Sequence, residues 1–148
     1  MVAITSGFLN VGIGGSMGSI EGVGDPAEHG GNNGIERSQS TIFDTAVFSA
    51  PNGDLVPRLF KSWEISADSL TWTFHVEEDV PFQDGYGELL ASDVVWTIDR
   101  AQIEGSKFGR AAVLRNISGD PTVTEVVNDH TFTMTTETPK FDVLFSFR

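Results

Sequence analysis

The chain has no cysteine among its 148 residues. That absence removes disulfide scaffolds, thiolate nucleophiles, iron–sulfur clusters and Cys-ligated zinc together. It says little about compartment, because a Cys-free chain folds in oxidising and reducing surroundings alike. Basic residues are scarce: Lys and Arg number 9 against 21 Asp and Glu, a formal net charge of -12. Such a balance repels phosphate backbones and anionic headgroups, which excludes nucleic acid as a partner and disfavours docking on lipid through charge. Long hydrophobic runs are missing too. The longest are a few residues, far from the roughly 20 that cross hydrocarbon. Met1–Thr5 carries no basic region and leads into Gly and Asn, so it does not read as a secretion signal. Either the chain is cytosolic or a leader has been removed.

What is present is ordinary globular composition, 39% apolar and 20% charged. Phe8–Ile13 alternates loosely and reads as a short buried strand. Gly14 to Gly34 is rich in Gly, Ser and Asn, a connection of a length that is usually functional or poorly ordered. Ser38–Ala46 is compatible with a helix, and Pro51-Asn52-Gly53-Asp54 is a turn after it. Ser62–Ile65 and Leu70–Val76, separated by Ser66-Ala67-Asp68-Ser69, form the clearest hairpin. Leu70, Trp72, Phe74 and Val76 share one face, and Thr71, Thr73 and His75 the other. Helical spacing runs from Ser92, as N-cap, to about Glu104 through Val94, Val95, Ile98 and Ala101. A second hairpin spans Thr122–Val127 and Thr131–Thr136 around Asn128-Asp129, with Phe132 and Met134 inward. The closing run has an apolar helical face at Phe141, Leu144 and Phe145 with no capping residue after it, which reads as an element cut short.

Groups that could carry chemistry are few. Gly12-Ile13-Gly14-Gly15-Ser16-Met17-Gly18 after a strand invites comparison with a dinucleotide loop, but Met17 occupies the third glycine position and no helix-forming sequence follows. Asp25, Glu28 and His29 lie close together without the second His that zinc spacing calls for. Asp79 and Asp84 flank Phe82 as a conceivable acid/base pair, in a loop with nothing to raise a pKa. His75 and His130 occupy polar hairpin positions. Trp63 and Trp72 read as core residues facing each other across the hairpin, and Trp96 is more open. The residues alone describe an acidic α+β unit without visible catalytic apparatus.

One ordered series stands out: Pro57-Arg58-Leu59-Phe60-Lys61-Ser62-Trp63-Glu64-Ile65-Ser66, Asp68–Val76, Val80-Pro81-Phe82-Gln83-Asp84-Gly85, and Ala91-Ser92-Asp93-Val94-Val95-Trp96. It resembles the N-terminal part of the extracellular solute-binding proteins of ABC importers, in the class that takes up oligopeptides, dipeptides and, in some members, nickel chelates. The likeness runs from about Ile42 to Phe145, and Phe8–Gly14 looks like that family's first strand. Two positions depart from the family pattern. Gln83 stands where His is usual, and Leu90 where a Thr caps the helix, which moves the expected cap to Ser92.

The resemblance implies a mixed, mostly antiparallel sheet with two hairpins and packed helices, part of a bilobal fold like the type II periplasmic binding proteins. It implies that residues 1–41 are the first strand and loop of a ligand-gripping lobe, and that residues 42–148 are the small additional domain of the peptide-binding class. It further implies a small solute, a peptide above all, and an ABC permease in the membrane as partners. The remainder of the same polypeptide would follow Arg148, and the location would be periplasmic or extracellular. No cofactor, no metal and no enzymatic turnover are implied. The family's first loop approaches the solute, which makes Gly15, Ser16, Met17 and Ser19 the candidate ligand contacts. The competing reading is a nucleotide- or metal-using enzyme built on the Gly12–Gly18 loop.

Overall fold

Strict alternation decides the centre of the molecule. A computed structural model describes residues 44–106 and 123–148. In it Thr71–Val76 is strand β4, after β1 (Val47–Ser49), β2 (Leu55–Pro57) and β3 (Phe60–Ile65). Helix α1 (Ala91–Gln102), β5 (Val123–Asn128) and β6 (Thr131–Thr135) follow, and the chain closes on a 3-10 turn at Val143–Phe147. All strand pairs are antiparallel. β1 and β2 form a small hairpin, and the main sheet runs β3-β4-β6-β5. This is the expected α+β architecture.

Along β4 every second side chain is buried: Trp72, Phe74 and Val76. In β6 the same holds for Phe132 and Met134. Because Phe74 stands opposite Phe132 and Trp72 opposite Met134, the two central strands present one continuous apolar surface. Phe74 stacks on Phe132 at 4.9 Å between centroids and lies 5.0 Å from Phe60 of β3 and 5.6 Å from Phe147. The reverse face is hydroxylated. Thr71 and Thr135 contact through their Oγ1 atoms at 3.3 Å, and His75 Nδ1 lies 3.2 Å from Thr131 Oγ1. β-Branched threonines suit a pleated surface that must face water.

α1 lies on β5 and β6. Its Ala91, Ile98 and Ala101 are buried, with Val94 and Val95 packed beside the core. Thr124 Oγ1 donates to Asp99 Oδ1 at 3.1 Å, and the Ala91 amide donates to the Asp129 carbonyl at 2.7 Å, so the helix is tied to β5 at its side and to the β5–β6 turn at its start.

Four expectations are corrected. The helix is capped at Leu90 and not at Ser92, which sits inside the first turn. Leucine has no acceptor, and the Asp93 carboxylate instead accepts the Leu90 amide at 2.9 Å, half of a capping box. Of the expected Ser38–Ala46 helix, the part up to Phe43 lies outside the described residues. Ala46 is not helical: its carbonyl accepts the Arg58 and Phe60 amides, and Val47 begins a strand. Trp63 faces Phe74, while Ile65 faces Trp72, because the two-strand register places them so. In the closing segment the buried face is Val143, Leu144 and Ser146, with Phe147 against Phe60. Phe145 is exposed on the outer side of the 3-10 turn, and Phe141, which precedes the turn, is exposed as well. The second hairpin forms as expected, with its turn one residue later, at Asp129-His130. The Phe8–Ile13 strand and the Gly14–Gly34 loop lie outside the described residues.

Phe132→Ala empties the middle of this aromatic core. It is expected to lower unfolding stability by about 3–5 kcal/mol, read as a fall in the urea midpoint at unchanged slope.

Candidate functional site

The four candidate ligand contacts, Gly15, Ser16, Met17 and Ser19, lie outside the described residues, as do Asp25, Glu28 and His29. Among the described residues, the longest connection between strands or helix is the excursion between β4 and α1, residues 77–90. It starts where the Glu77 amide donates to the Leu59 carbonyl, and it is closed as a narrow arch by Phe82 N–H to Gly87 O (2.8 Å) and Leu89 N–H to Val80 O (2.9 Å). Pro81 and Glu88 form an isolated bridge within it. At its tip Tyr86 is 84% exposed, and Phe82 is exposed beside it.

Local backbone chemistry dictates the arch. Asp84 (φ 57, ψ 18) and Gly85 (φ 77) are both left-handed, and the Tyr86 amide returns to the Gln83 carbonyl at 3.4 Å. That is the two-residue turn for which Asp-Gly is the preferred pair. Gly87 lies at φ 104 and Asp79 at φ 58. The Asp79 amide is held by Glu88 Oε1 at 2.6 Å, and the same oxygen faces His130 Nε2 at 3.8 Å. The Val76 amide donates to the His130 carbonyl. The arch, the second hairpin and the start of α1 are therefore fastened at one end of the sheet.

This geometry reassigns several candidates. Asp79 and Asp84 are exposed turn residues, each placed by its backbone conformation. His75 is one rung of the cross-strand ladder on the polar face. Trp72 is core, and Trp96 is 63% exposed with the Arg100 guanidinium 5.5 Å over its ring. Among the described residues no group of three or more His, Cys, Asp or Glu could hold a metal ion. In the β3–β4 turn, Ser66 Oγ donates to Asp68 Oδ1 at 2.5 Å, and the Leu70 amide reaches the same oxygen at 3.1 Å. The Ser66 hydroxyl first, and the Leu70 amide second, hold the Asp68 carboxyl below the ordinary aspartate range.

The stretch that carries the series of motifs is thus turn chemistry wrapped around one hydrophobic core, and the comparison with known proteins agrees. Residues 54–148 match the family described as bacterial extracellular solute-binding proteins, family 5 Middle. The chain belongs to that family. It is 40% identical over 48 residues to the nickel-binding periplasmic protein of Escherichia coli (strain K12), covering 32% of this chain and 9% of that protein. It is 35% identical over 72 residues to di/tripeptide-binding protein 4 of Pseudomonas aeruginosa (strain UCBPP-PA14), covering 45% and 14%. The solved murein tripeptide binding protein of Escherichia coli shares the fold at a TM-score of 0.67 and 24% identity, over 81% of this chain and 26% of that one. The chain therefore spans only a small part of the length of these relatives. A family of solute-binding proteins gives no support to the nucleotide- or metal-using enzyme.

Two measurements check these assignments. Gly87→Ala meets no atom within 4 Å yet forces a Cβ into positive φ. It is expected to cost about 1–2 kcal/mol in urea unfolding. Protonating Asp68 weakens its bonds to Ser66 and the Leu70 amide in the β3–β4 turn. Because its folded pKa lies below the unfolded value, its contribution is complete above the unfolded pKa, near 4, and is lost as pH falls through the folded one. Carbon-13 titration of its carboxyl should show a midpoint below the ordinary value, returning upward in Ser66→Ala.

Proposed function

We propose that this chain is part of a bilobal solute-binding protein that captures small peptides outside the cytoplasm and delivers them to an ABC permease. The observation that carries the reading is the family match over residues 54–148. The likeness to a di/tripeptide-binding protein supports peptides as the solute. On this reading residues 42–148 form the additional small domain that stands away from the ligand, and residues 1–41 supply the first strand and loop of a gripping lobe. Gly15, Ser16, Met17 and Ser19 approach the solute, and Gly15, lacking a Cβ, lets a peptide backbone lie close. The described domain contributes no turnover. Its aromatic core holds a rigid body, and its polar sheet face and acidic surface keep it hydrated.

A nickel chelate is the second reading, favoured by the likeness to the nickel-binding periplasmic protein. Thermal unfolding of the longer protein separates the two. Di- and tripeptides near one hundred times their Kd are expected to add about 2.7 kcal/mol to stability and raise the Tm. A rise with nickel and a chelating amino acid but with no peptide would replace the first reading by the second. A rise with nucleotides alone would sink both.

A further inference from the structure

One side-chain amide has two tasks in the turn between β1 and β2. The loop Pro51-Asn52-Gly53 is closed by the Ala50 amide, which donates to the Asp54 carbonyl at 2.8 Å, and by the Gly53 amide, which donates to the Ala50 carbonyl at 2.9 Å. Gly53 takes the positive φ, 91°, that such a hairpin loop requires. Asn52 adds the side-chain bonds. Its Oδ1 accepts the Asp54 amide at 3.2 Å, and its Nδ2 donates to Asp54 Oδ2 at 2.7 Å. Residues 51–54 are all exposed, and no atom lies within 4 Å of where a Cβ would stand on Gly53. The Gly53 nitrogen thus follows Asn52 with no side chain of its own to hold the Asn52 carboxamide away.

We propose that Asn52 is a site of spontaneous deamidation, and that the reaction permanently loosens the β1–β2 hairpin. The Gly53 nitrogen, giving its proton to base, attacks the Asn52 side-chain carbonyl carbon. The bond from that carbon to Nδ2 breaks, and ammonia leaves with a proton taken from water. Water then opens the cyclic imide at either carbonyl. The product is aspartate, or the isomer in which the main chain runs through the side-chain carbon. In the closed turn the Gly53 N–H is engaged by the Ala50 carbonyl, so attack follows local opening. Opening costs little here: among the described residues β1 and β2 pair only with each other, and a two-stranded hairpin is marginal by itself. Closing again is what the product loses. A carboxylate at position 52 has no proton for Asp54 Oδ2 and faces it as a like charge at hydrogen-bond distance, in a chain whose net charge is already -12. The isomer lengthens the main chain between Ala50 and Asp54 and breaks their pairing. What the hairpin holds against the core is Val47, fully buried, and Leu55. Asn128 also stabilises a turn, accepting the His130 amide at 3.0 Å, but the residue after it, Asp129, carries a side chain. The other Asn-Gly pair, Asn33-Gly34, lies outside the described residues.

Peptide mapping by mass spectrometry tests this on the longer protein, held native at neutral and at mildly alkaline pH and sampled over weeks. Asn52 is expected to convert to a mixture of aspartate and isoaspartate, the latter labelled by protein isoaspartyl methyltransferase, and to convert faster at the higher pH, while Asn128 stays intact. Native Asn52 that stays intact overturns the proposal, whether or not the urea-unfolded chain converts. Conversion of Asn128 at the same rate overturns the role given to the bare Gly53 nitrogen. Hydrogen exchange over the peptide spanning residues 46–57 reads the consequence. Asn52→Asp is expected to speed exchange of the turn amides several-fold, and Asn52→Asp combined with Asp54→Asn, which swaps donor and acceptor, to slow it again. Unchanged exchange in the single variant, or no recovery in the double one, overturns the loosening. None of these readouts involves a solute, so the proposal and the functional reading fail separately.

Discussion

The Phe74 ring is the contact on which the rest of the domain depends. It meets Phe60 from β3, Trp72 from its own strand, Phe132 from β6 and Phe147 from the closing turn, all with centroids 4.9–6.0 Å apart. Each such pair contributes about 0.5–1.5 kcal/mol beyond the burial of its area. More important is what the ring joins. Phe147 is 73 positions later in the chain, and the aromatic centre gives it a place to dock beside Val143 and Leu144. The ring stack thus reinforces the β4–β6 ladder that joins two sequence-local hairpins into one body.

The hairpins were legible because period-two alternation is a property of few consecutive residues. Thr71–Val76 shows it without interruption, and the structure buries Trp72, Phe74 and Val76 as that pattern requires. The same holds for Phe132 and Met134. What the sequence hid was decided by longer-range or finer effects. Ala46 and Val47 fit a helical period, but the amides of Arg58 and Phe60 claim the Ala46 carbonyl, and no local pattern announces that pairing. The cap at Leu90 was concealed because the side chain that satisfies its amide belongs to Asp93. The face read from Phe141, Leu144 and Phe145 needs an α-helix through all three, whereas the regular winding is 3-10 and begins only at Val143. Register also escaped: Trp63 pairs with Phe74, which depends on a four-residue turn whose length alternation does not encode.

One motif of the ordered series, around Asp84-Gly85, acts on the backbone. Asp84-Gly85 supplies two successive left-handed residues, and Gly87 supplies a further positive φ, so that the excursion over residues 77–90 can reverse and deliver Leu89 and Ala91 to the core. Turn and core chemistry of this kind specifies a fold and leaves solute choice undetermined. Relatives named for nickel and for di/tripeptides both match this chain. The ligand contacts expected at Gly15, Ser16, Met17 and Ser19 belong to a different part of the chain, whose sequence carries no periodic signal.

The charge balance poses a physical problem that the fold answers locally. Between Lys61 and Arg100 the chain carries Glu64, Asp68, Glu77, Glu78, Asp79, Asp84, Glu88, Asp93 and Asp99 without one Lys or Arg. Self-repulsion of that kind works against compactness. Several of these carboxylates are engaged by neutral donors: Asp68 by the Leu70 amide and the Ser66 hydroxyl, Glu88 by the Asp79 amide, Asp93 by the Leu90 amide, and Asp99 by the Thr124 hydroxyl. A charge-assisted bond to an amide stabilises the anion without a counter-ion, and it fixes a turn or a helix start at the same time. The acidic residues that make the surface repel phosphate are in this way also what pins the loops, so the charge excess and the turn geometry are one design. The exposed ion pair between Lys61 and Glu78, at 3.4 Å, adds little to it.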